Sequence, residues 1–203
     1  MHRKAVNHLR RIDPVMAGVI ADVGPCRFRV ANELTHFEAV LRSIIYQQLS
    51  GKAAGTIHGR VTALFEENKP NAHELRQLAD ADLRAAGVST QKLGYLRNLT
   101  ERVVAGDVPI DDLHTLEDDE VLRHLTSIKG VGKWTAQMFL MFRLGRPDIL
   151  PEGDLGIQKG IQKAYRLRKL PPPARVLTIG AKWAPHRTIA SWYLWRSLGG
   201  DAE

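Results

Sequence analysis

Apolar positions recur at intervals of three and four residues along most of the chain, and this spacing is typical of amphipathic helices. The segment after Thr35 shows it clearly, with Val40, Leu41, Ile44 and Ile45 on one predicted buried side. Few stretches alternate between apolar and polar residues as strands do. The pattern therefore predicts an all-α protein of about ten helices.

Capping residues, glycines and prolines set the bounds of these helices. Asp13 and Thr35 are predicted N-caps, Pro14 opens the helix after Asp13, and Ser50-Gly51 ends the helix after Thr35. Residues 133–144 are apolar almost all round, so we expect that helix deep in the core. The predicted helices run over 2–11, 14–22, 35–49, 52–66, 72–78, 80–86, 90–105, 118–127, 133–144, 155–167, 174–183 and 185–198.

The composition is that of a folded globular protein. With 203 residues, 44% hydrophobic and 25% charged, the chain is neither disordered nor collagen-like. The single cysteine, Cys26, excludes an intramolecular disulfide framework, a four-cysteine iron–sulfur cluster and a cysteine-based zinc site. Apolar runs are too short to cross a bilayer, and residues 1–25 lack a signal-peptide core. We expect a cytoplasmic protein, nucleoid-associated if bacterial, with no membrane partner.

Charge is distributed unevenly along the chain, which has a net charge of +7. Residues 1–65 carry nine basic and four acidic side chains, and residues 129–203 carry thirteen and five. Residues 66–120, in contrast, carry six basic and thirteen acidic side chains. A solvated mixed surface is one explanation, and a polyanion held between the two basic segments is a sharper one. Nucleic acid is therefore a candidate partner.

A turn with two closely spaced glycines, Gly130 and Gly132, separates two predicted helices within residues 125–142. Glycine tolerates positive φ, and backbone amides at the start of a helix suit a phosphate oxygen. A plain corner between helices with a glycine cap is the alternative. Leu125 and Ile128, placed to pack the two helices together, favour a hairpin that binds the DNA backbone.

Three segments resemble, in the same order, the helix–hairpin–helix/GPD superfamily of base-excision DNA glycosylases. They are residues 44–50, similar to the segment that these enzymes push into the duplex, the hairpin, and the Gly/Pro-rich loop with an aspartate at 150–156. The combination covers nearly the whole chain and looks most like the DNA-3-methyladenine glycosylase II group, which removes alkylated purines.

The resemblance implies a two-lobed bundle that forms a single domain over residues 1–203. One lobe is expected from the middle helices at 35–120, and the other from the N-terminal segment together with 121–203. Some relatives carry an additional N-terminal sheet domain. This chain starts almost directly at the helical core, so a compact version without that sheet is expected.

The residue after the glycine turn distinguishes two kinds of relative. Members that also cut the DNA strand carry a lysine there, whose amine forms a Schiff base with the sugar. Here the position is Trp134, and Lys133 precedes it, so on a helix the lysine points about 100° away. This difference, with the missing cluster cysteines, implies a monofunctional glycosylase.

Asp154 is the predicted catalytic residue. An aspartate before a helix is by itself typical of an N-cap, but the resemblance also implies a catalytic role, and the two roles are compatible. Hydrolysis of an N-glycosidic bond builds positive charge on the sugar, which a fixed carboxylate stabilises while it orients water. A positively charged alkylated purine leaves readily, which fits the absence of an obvious general acid.

The resemblance also implies which side chains meet the flipped base and the gap it leaves. Trp134 and Trp195 are predicted walls of a base pocket because an indole face attracts an electron-poor base, although core packing is a commoner role for tryptophan. Met138 is also assigned to the pocket, at a position where some relatives have a tyrosine. Gln47 and Gln48 are predicted to fill the gap that the flipped base leaves in the duplex, and Gln47 is also assigned to the pocket. The alternative is that both are simply exposed polar residues at a helix end.

DNA contacts are implied for Gln48 and for the hairpin residues Lys129, Gly130, Val131, Gly132, Lys133 and Thr135. A Na⁺ or K⁺ ion in the hairpin, held by the carbonyls of Ser127, Ile128 and Val131, is implied by resemblance, and no cofactor is expected to be required.

We therefore predict a monomeric glycosylase that flips and excises 3-methyladenine- or 7-methylguanine-type bases from double-stranded DNA in base excision repair. An oxidised-base glycosylase/lyase and a non-catalytic helix–hairpin–helix damage-binding module are the alternatives.

Overall fold

The computed structural model describes residues 2–31 and 33–199, which contain helices and no strand, so the all-α prediction is confirmed. Short 3₁₀ turns lie at Glu66–Asn68, Ile110–Thr115 and Ala181–Trp183, and a π-helical turn lies at Phe139–Arg143. The α-helices in the described residues are α1 (Arg3–Ile12), α2 (Pro14–Val23), α3 (His36–Tyr46), α4 (Gly51–Thr62), α5 (Ala72–Gln77), α6 (Asp80–Ala85), α7 (Thr90–Val104), α8 (Asp118–Thr126), α9 (Lys133–Met138), α10 (Leu155–Ala164), α11 (Pro173–Gly180) and α12 (Arg187–Arg196).

The chain divides into two compact units. The flanking unit comprises Met1–Val30 and Leu140–Glu203, and the central unit comprises Ala31–Phe139. The predicted division fell at residue 120, whereas the structure includes residues 121–139 in the central unit. The difference arises because the hairpin packs on α7, whose Asn98 side chain accepts a hydrogen bond from the Lys129 amide.

The core of the flanking unit forms where α1, α2, α10 and α12 meet. Asp13, fully buried at its centre, is the N-cap of α2 as predicted, and its Oδ1 accepts the Val15 amide at 3.0 Å. Its Oδ2 accepts three further donors, from the Tyr165 hydroxyl, Trp183 Nε1 at 2.8 Å and Lys182 Nζ at 3.0 Å. The residue therefore joins three segments of the unit as well as capping a helix.

In the central unit, α3 begins with the capping box of Thr35 and Glu38, as the N-cap prediction required. Its predicted apolar face is buried, with Leu41, Ile44 and Ile45 all fully inaccessible to solvent. The helix ends at Tyr46, three residues earlier than predicted, and Gln48 follows in a left-handed conformation with φ of 56°. This early end exposes the Gln47–Gln48 segment as a turn.

The prediction of a deeply buried helix over 133–144 is wrong in its first turn. Trp134 is 53% exposed, Ala136 is the first buried residue of the helix, and Met138 is again partly exposed. The α-helical path ends at Met138 and widens into the π-helical turn. Apolar character alone does not reveal which residues face solvent, whereas the role predicted for Trp134 in a base pocket requires an accessible indole. No helix in residues 2–31 and 33–199 is both long and apolar enough to span a bilayer.

Candidate active site and hairpin

Asp154 begins α10 and is held by two hydrogen bonds to the same carboxylate oxygen. Its Oδ1 accepts the backbone amide of Ile157 at 2.8 Å and the indole Nε1–H of Trp195, also at 2.8 Å. The first bond is the N-cap interaction expected from the sequence, and the second comes from α12. The carboxylate is partly buried and has a fixed orientation. Such a preorganised negative charge stabilises positive charge that develops during a reaction.

Two glycines on one face of α10 create the space for this arrangement. A Cβ on Gly156 would lie 2.7 Å from Trp195 Cδ1 and 2.9 Å from Asp154 Oδ1. A Cβ on Gly160, one turn later, would lie 2.9 Å from the Leu194 carbonyl oxygen. Glycine at both positions therefore lets α12 approach α10 closely enough for the indole to reach the carboxylate.

Trp195 also belongs to a short series of aromatic rings. It stacks on Phe142 with ring centroids 6.0 Å apart, and Phe142 lies 5.3 Å from Phe28. Phe142 is partly exposed and stands in the π-helical turn, a feature that is frequent at functional sites. Phe142 was not predicted as a site residue, because the π turn changes the direction of its side chain relative to a regular helix.

Replacing Trp195 with phenylalanine should slow any reaction that depends on Asp154 by about tenfold, because it removes a charge-assisted hydrogen bond and keeps an aromatic ring. Single-turnover base release measures this effect. Trp192→Phe, the same trimming of a buried residue on α12, is the matched control and should leave the rate within about twofold. Equal loss in both variants would show that the indole N–H has no special role.

The hairpin between α8 and α9 packs as the sequence predicts. Leu125, Ile128 and Val131 are at most 5% exposed and join the two helices. Gly130 has φ of 83°, and the Tyr95 ring lies so close that a Cβ would overlap it. Gly132 has an ordinary φ of −88° and open space where a Cβ would stand. The fold therefore requires a glycine at 130 and not at 132.

Two hairpin amides are already used within the protein. The Lys129 amide donates to Asn98 Oδ1 at 2.8 Å, and the Val131 amide donates to the Ile128 carbonyl at 3.0 Å. An external phosphate would therefore have to use other amides of the turn, such as that of Gly132. The Ile128 carbonyl has a second lone pair, so its bond to Val131 leaves this oxygen able to coordinate a cation.

The Gln47–Gln48 turn is tied to the hairpin. Gln47 Nε2 donates to the Gly130 carbonyl at 2.7 Å, and Gln48 is exposed beside it in the chain. The structure thus brings Gln47, assigned from the sequence to a base pocket, together with the hairpin backbone. On α9, Lys133 and Trp134 are exposed, while Thr135 and Met138 are partly buried. Asp154 and Trp195 lie in the flanking unit, and the other predicted site residues lie in the central unit.

Residues 41–186 match the model of a protein family described as the HhH-GPD superfamily of base excision DNA repair proteins, and the chain belongs to that superfamily. Among curated proteins, it is 34% identical over 197 residues to DNA-3-methyladenine glycosylase 1 of Schizosaccharomyces pombe, covering 96% of this chain and 86% of the relative.

Two solved structures have similar sequences and folds. The S. pombe 3-methyladenine DNA glycosylase Mag1 in complex with abasic DNA has a TM-score of 0.82 and 32% identity, over 98% of both chains. A DNA-3-methyladenine glycosidase from Bacillus halodurans has a TM-score of 0.85 and 36% identity, over 96% of this chain and 88% of the other. These similarities confirm the family inferred from the three sequence segments.

Proposed function

We propose that this protein is a monofunctional DNA glycosylase that excises alkylated purines, of the 3-methyladenine and 7-methylguanine type, in base excision repair. The observation that carries the proposal is the Asp154 carboxylate, fixed by the Ile157 amide and the Trp195 indole. The names of the similar proteins, which are 3-methyladenine glycosylases, support the choice of substrate.

In the proposed reaction, the bond between C1′ of the sugar and the base nitrogen breaks, and water adds to C1′. The bonding electrons leave with the purine, so a base that carried a positive charge departs as a neutral molecule. The sugar gains positive charge, which the fixed carboxylate of Asp154 stabilises. The same carboxylate orients the water, whose proton is released to solvent as its oxygen bonds to C1′.

Duplex DNA is the proposed partner, and charge supports this. The flanking unit, which carries Asp154, contains seventeen basic and seven acidic residues. In the central unit, the Gly132 amide and the exposed side chains of Lys129 and Lys133 are suited to phosphates. Binding should therefore weaken steeply as salt concentration rises.

The two hairpin glycines give a matched test of the DNA contact. Gly132→Ala should leave the free energy of unfolding nearly unchanged, because the new Cβ meets open space, and should weaken DNA binding about tenfold by blocking a phosphate. Gly130→Ala should instead destabilise the protein by about 2 kcal/mol, from positive φ and overlap with Tyr95. Thermal unfolding and fluorescence anisotropy with labelled duplex measure the two effects. Unchanged affinity of Gly132→Ala would argue against a phosphate at this turn.

We assign damage recognition to Trp134, whose exposed indole is suited to stack on an electron-poor base. Gln47 and Gln48 fill the gap in the duplex. With tryptophan at the position where strand-cutting relatives carry a lysine, no Schiff base forms there, and the DNA backbone stays intact after base release. Met138 and Thr135 are partly buried on the same short helix, and we assign Met138 to the base pocket and Thr135 to DNA contact.

A monovalent cation is a further part of the proposal. The carbonyls of Ser127, Ile128 and Val131 would hold Na⁺ or K⁺, since carbonyl oxygens are suitable ligands for such ions. The cation would add positive charge beside the phosphate that the hairpin binds. We also propose that the protein works as a monomer in the cytoplasm, or on the nucleoid in a bacterial cell.

The proposed function is tested with a duplex that carries a single 7-methylguanine. The protein should release the base and leave an abasic site that breaks only after alkali treatment, and borohydride should trap no protein–DNA adduct. Strand cleavage without alkali, together with a trapped adduct, would indicate a glycosylase/lyase. Tight binding without base release, on this duplex and on one carrying 3-methyladenine, would favour a non-catalytic damage-binding module.

A further inference from the structure

A lysine from α7 lies against the end of α3, next to the Gln47–Gln48 turn. Lys92 Nζ donates one hydrogen bond to the Ile45 carbonyl and another to the Gln47 carbonyl, both at 2.7 Å. These carbonyls are at the C-terminus of α3, where the helix dipole favours a positive charge. The lysine is partly buried, and burial lowers its pKa. Two of its three donors are therefore committed to one short stretch of backbone.

That stretch of backbone is held in an uncommon conformation. Gln48 has φ of 56°, a left-handed value that a residue with a side chain adopts only at a cost of about 1–2 kcal/mol. Such strain persists where surrounding contacts determine the conformation, and it is frequent at functional sites. Lys92 supplies two such contacts to the residue just before Gln48 and to the helix end.

The same helix, α7, also supports the hairpin. The Tyr95 ring packs against Gly130, and Asn98 Oδ1 accepts the Lys129 amide. The Gln47 side chain donates in turn to the Gly130 carbonyl. One face of α7 therefore contacts both segments. Tyr95 and Asn98 hold the hairpin, and Lys92 holds the Gln47–Gln48 turn.

We propose that Lys92 is a positioning residue for base extrusion: it holds the Gln47–Gln48 turn, before DNA binds, in the shape that fills the gap left by the flipped base. The proposal rests on the proposed glycosylase function and assigns no chemical step to the lysine. A turn that is already ordered loses little conformational entropy when it enters the duplex. Without Lys92 the turn must be ordered during extrusion, and the flipped state becomes less populated.

The effect should depend on how difficult extrusion is. A 7-methylguanine paired with cytosine must be unpaired, whereas the same lesion opposite an abasic analogue has no pairing to lose. Lys92→Met should lower the single-turnover rate of base release about tenfold on the paired duplex and less than about twofold opposite the abasic analogue. A change that merely loosened the fold would lower both rates equally.

Lys69→Met is the matched control, because Lys69 is an exposed lysine of the central unit, paired only at the surface with Glu67, and its loss changes the net charge equally. It should leave both rates unchanged. Lys92→Arg, which keeps the charge and donors, should restore most of the rate on the paired duplex. If Lys92→Met does not fold, as judged by thermal unfolding, Lys92→Gln is measured on the same duplexes.

The proposal would be overturned if Lys92→Met lost the same fraction of its rate on both duplexes, or lost none on either. It would also be overturned if DNA binding by Lys92→Met depended less steeply on salt concentration, by about one phosphate contact, because Lys92 would then be a direct DNA ligand. Failure of the glycosylase function itself is distinguishable, because the unmodified protein would then release base from neither duplex.

Discussion

Replacing Asp154 with asparagine should reduce the rate of base release by a factor of about 10²–10³ while leaving the fold intact. Asparagine is as good an N-cap as aspartate, and its side-chain oxygen can accept from the Ile157 amide and the Trp195 indole as Asp154 Oδ1 does. The negative charge is lost, and an NH₂ group takes the place of Oδ2. Loss of one preorganised electrostatic group from an active site typically costs this factor. Single-turnover release of 7-methylguanine measures it.

Two controls make the Asp154 result specific. Asp119→Asn removes a charge from an exposed carboxylate on α8 and should release base at the unchanged rate. Asp154→Asn should also bind abasic duplex about as tightly as the unmodified protein does. The phosphate contacts that we predict lie in the hairpin, which this substitution leaves unchanged. If Asp154→Asn retained full activity, Asp154 would have no role in the mechanism, even though the unmodified protein releases base.

Asp13→Asn should cost about 3 kcal/mol of unfolding free energy, the largest stability effect that we expect in the flanking unit. The fully buried carboxylate of Asp13 accepts donors from Tyr165, Trp183 and Lys182 on one oxygen. An amide can present an oxygen either to these donors or to the α2 amides, and its NH₂ group then faces donors on the other side. Denaturant unfolding measures the loss, and Asp22→Asn, at an exposed site on α2, should have little effect.

The stabilisation by Asp13 should depend on pH in a defined direction. Burial raises the pKa of Asp13, but hydrogen bonds from Tyr165, Trp183 and Lys182 lower it by more, so the pKa lies below its ordinary value of 3.8. The unfolded state thus binds the proton more readily. The stabilisation is complete above about pH 4 and is lost as the pH falls through the lower folded pKa. The difference between the protein and its Asn variant should therefore shrink in acid, and a constant difference would contradict this assignment.

Local sequence signals predicted much of the fold because the forces behind them act within a few residues. Asp13 and Thr35 cap the helices that they were expected to cap, and the apolar side of α3 is buried. The hairpin was predicted from its two glycines and the apolar residues that pack it. Helix ends were less accurate, since the end of α3 depends on Lys92, which comes from a different helix.

The contacts that build the candidate site could not be predicted in this way. Trp195 and Asp154 lie 41 positions apart in the chain, and Lys92 and Ile45 lie 47 apart. Hydrophobic periodicity reports which face of a helix is buried and says nothing about which distant helix meets it. Gly156 is part of the 150–156 motif in the sequence. That it leaves space for the Trp195 indole is seen only when α12 is packed against α10. The direction of Phe142 likewise depends on a π turn that has no signal in the hydrophobic pattern.

Helix α10 is secured at both ends, and this has a consequence for how activity responds to heat. Asp154 holds its first turn, and Tyr165, which follows its last residue, donates to the buried Asp13. Helix ends usually fray before the rest of a protein unfolds, yet neither end of this helix can open without breaking a buried or charge-assisted bond. The Asp154 carboxylate is therefore not expected to lose its position in a separate local unfolding step. On warming, the enzyme should stay fully competent until the flanking unit unfolds as a whole, so that inactivation and cooperative unfolding are one event.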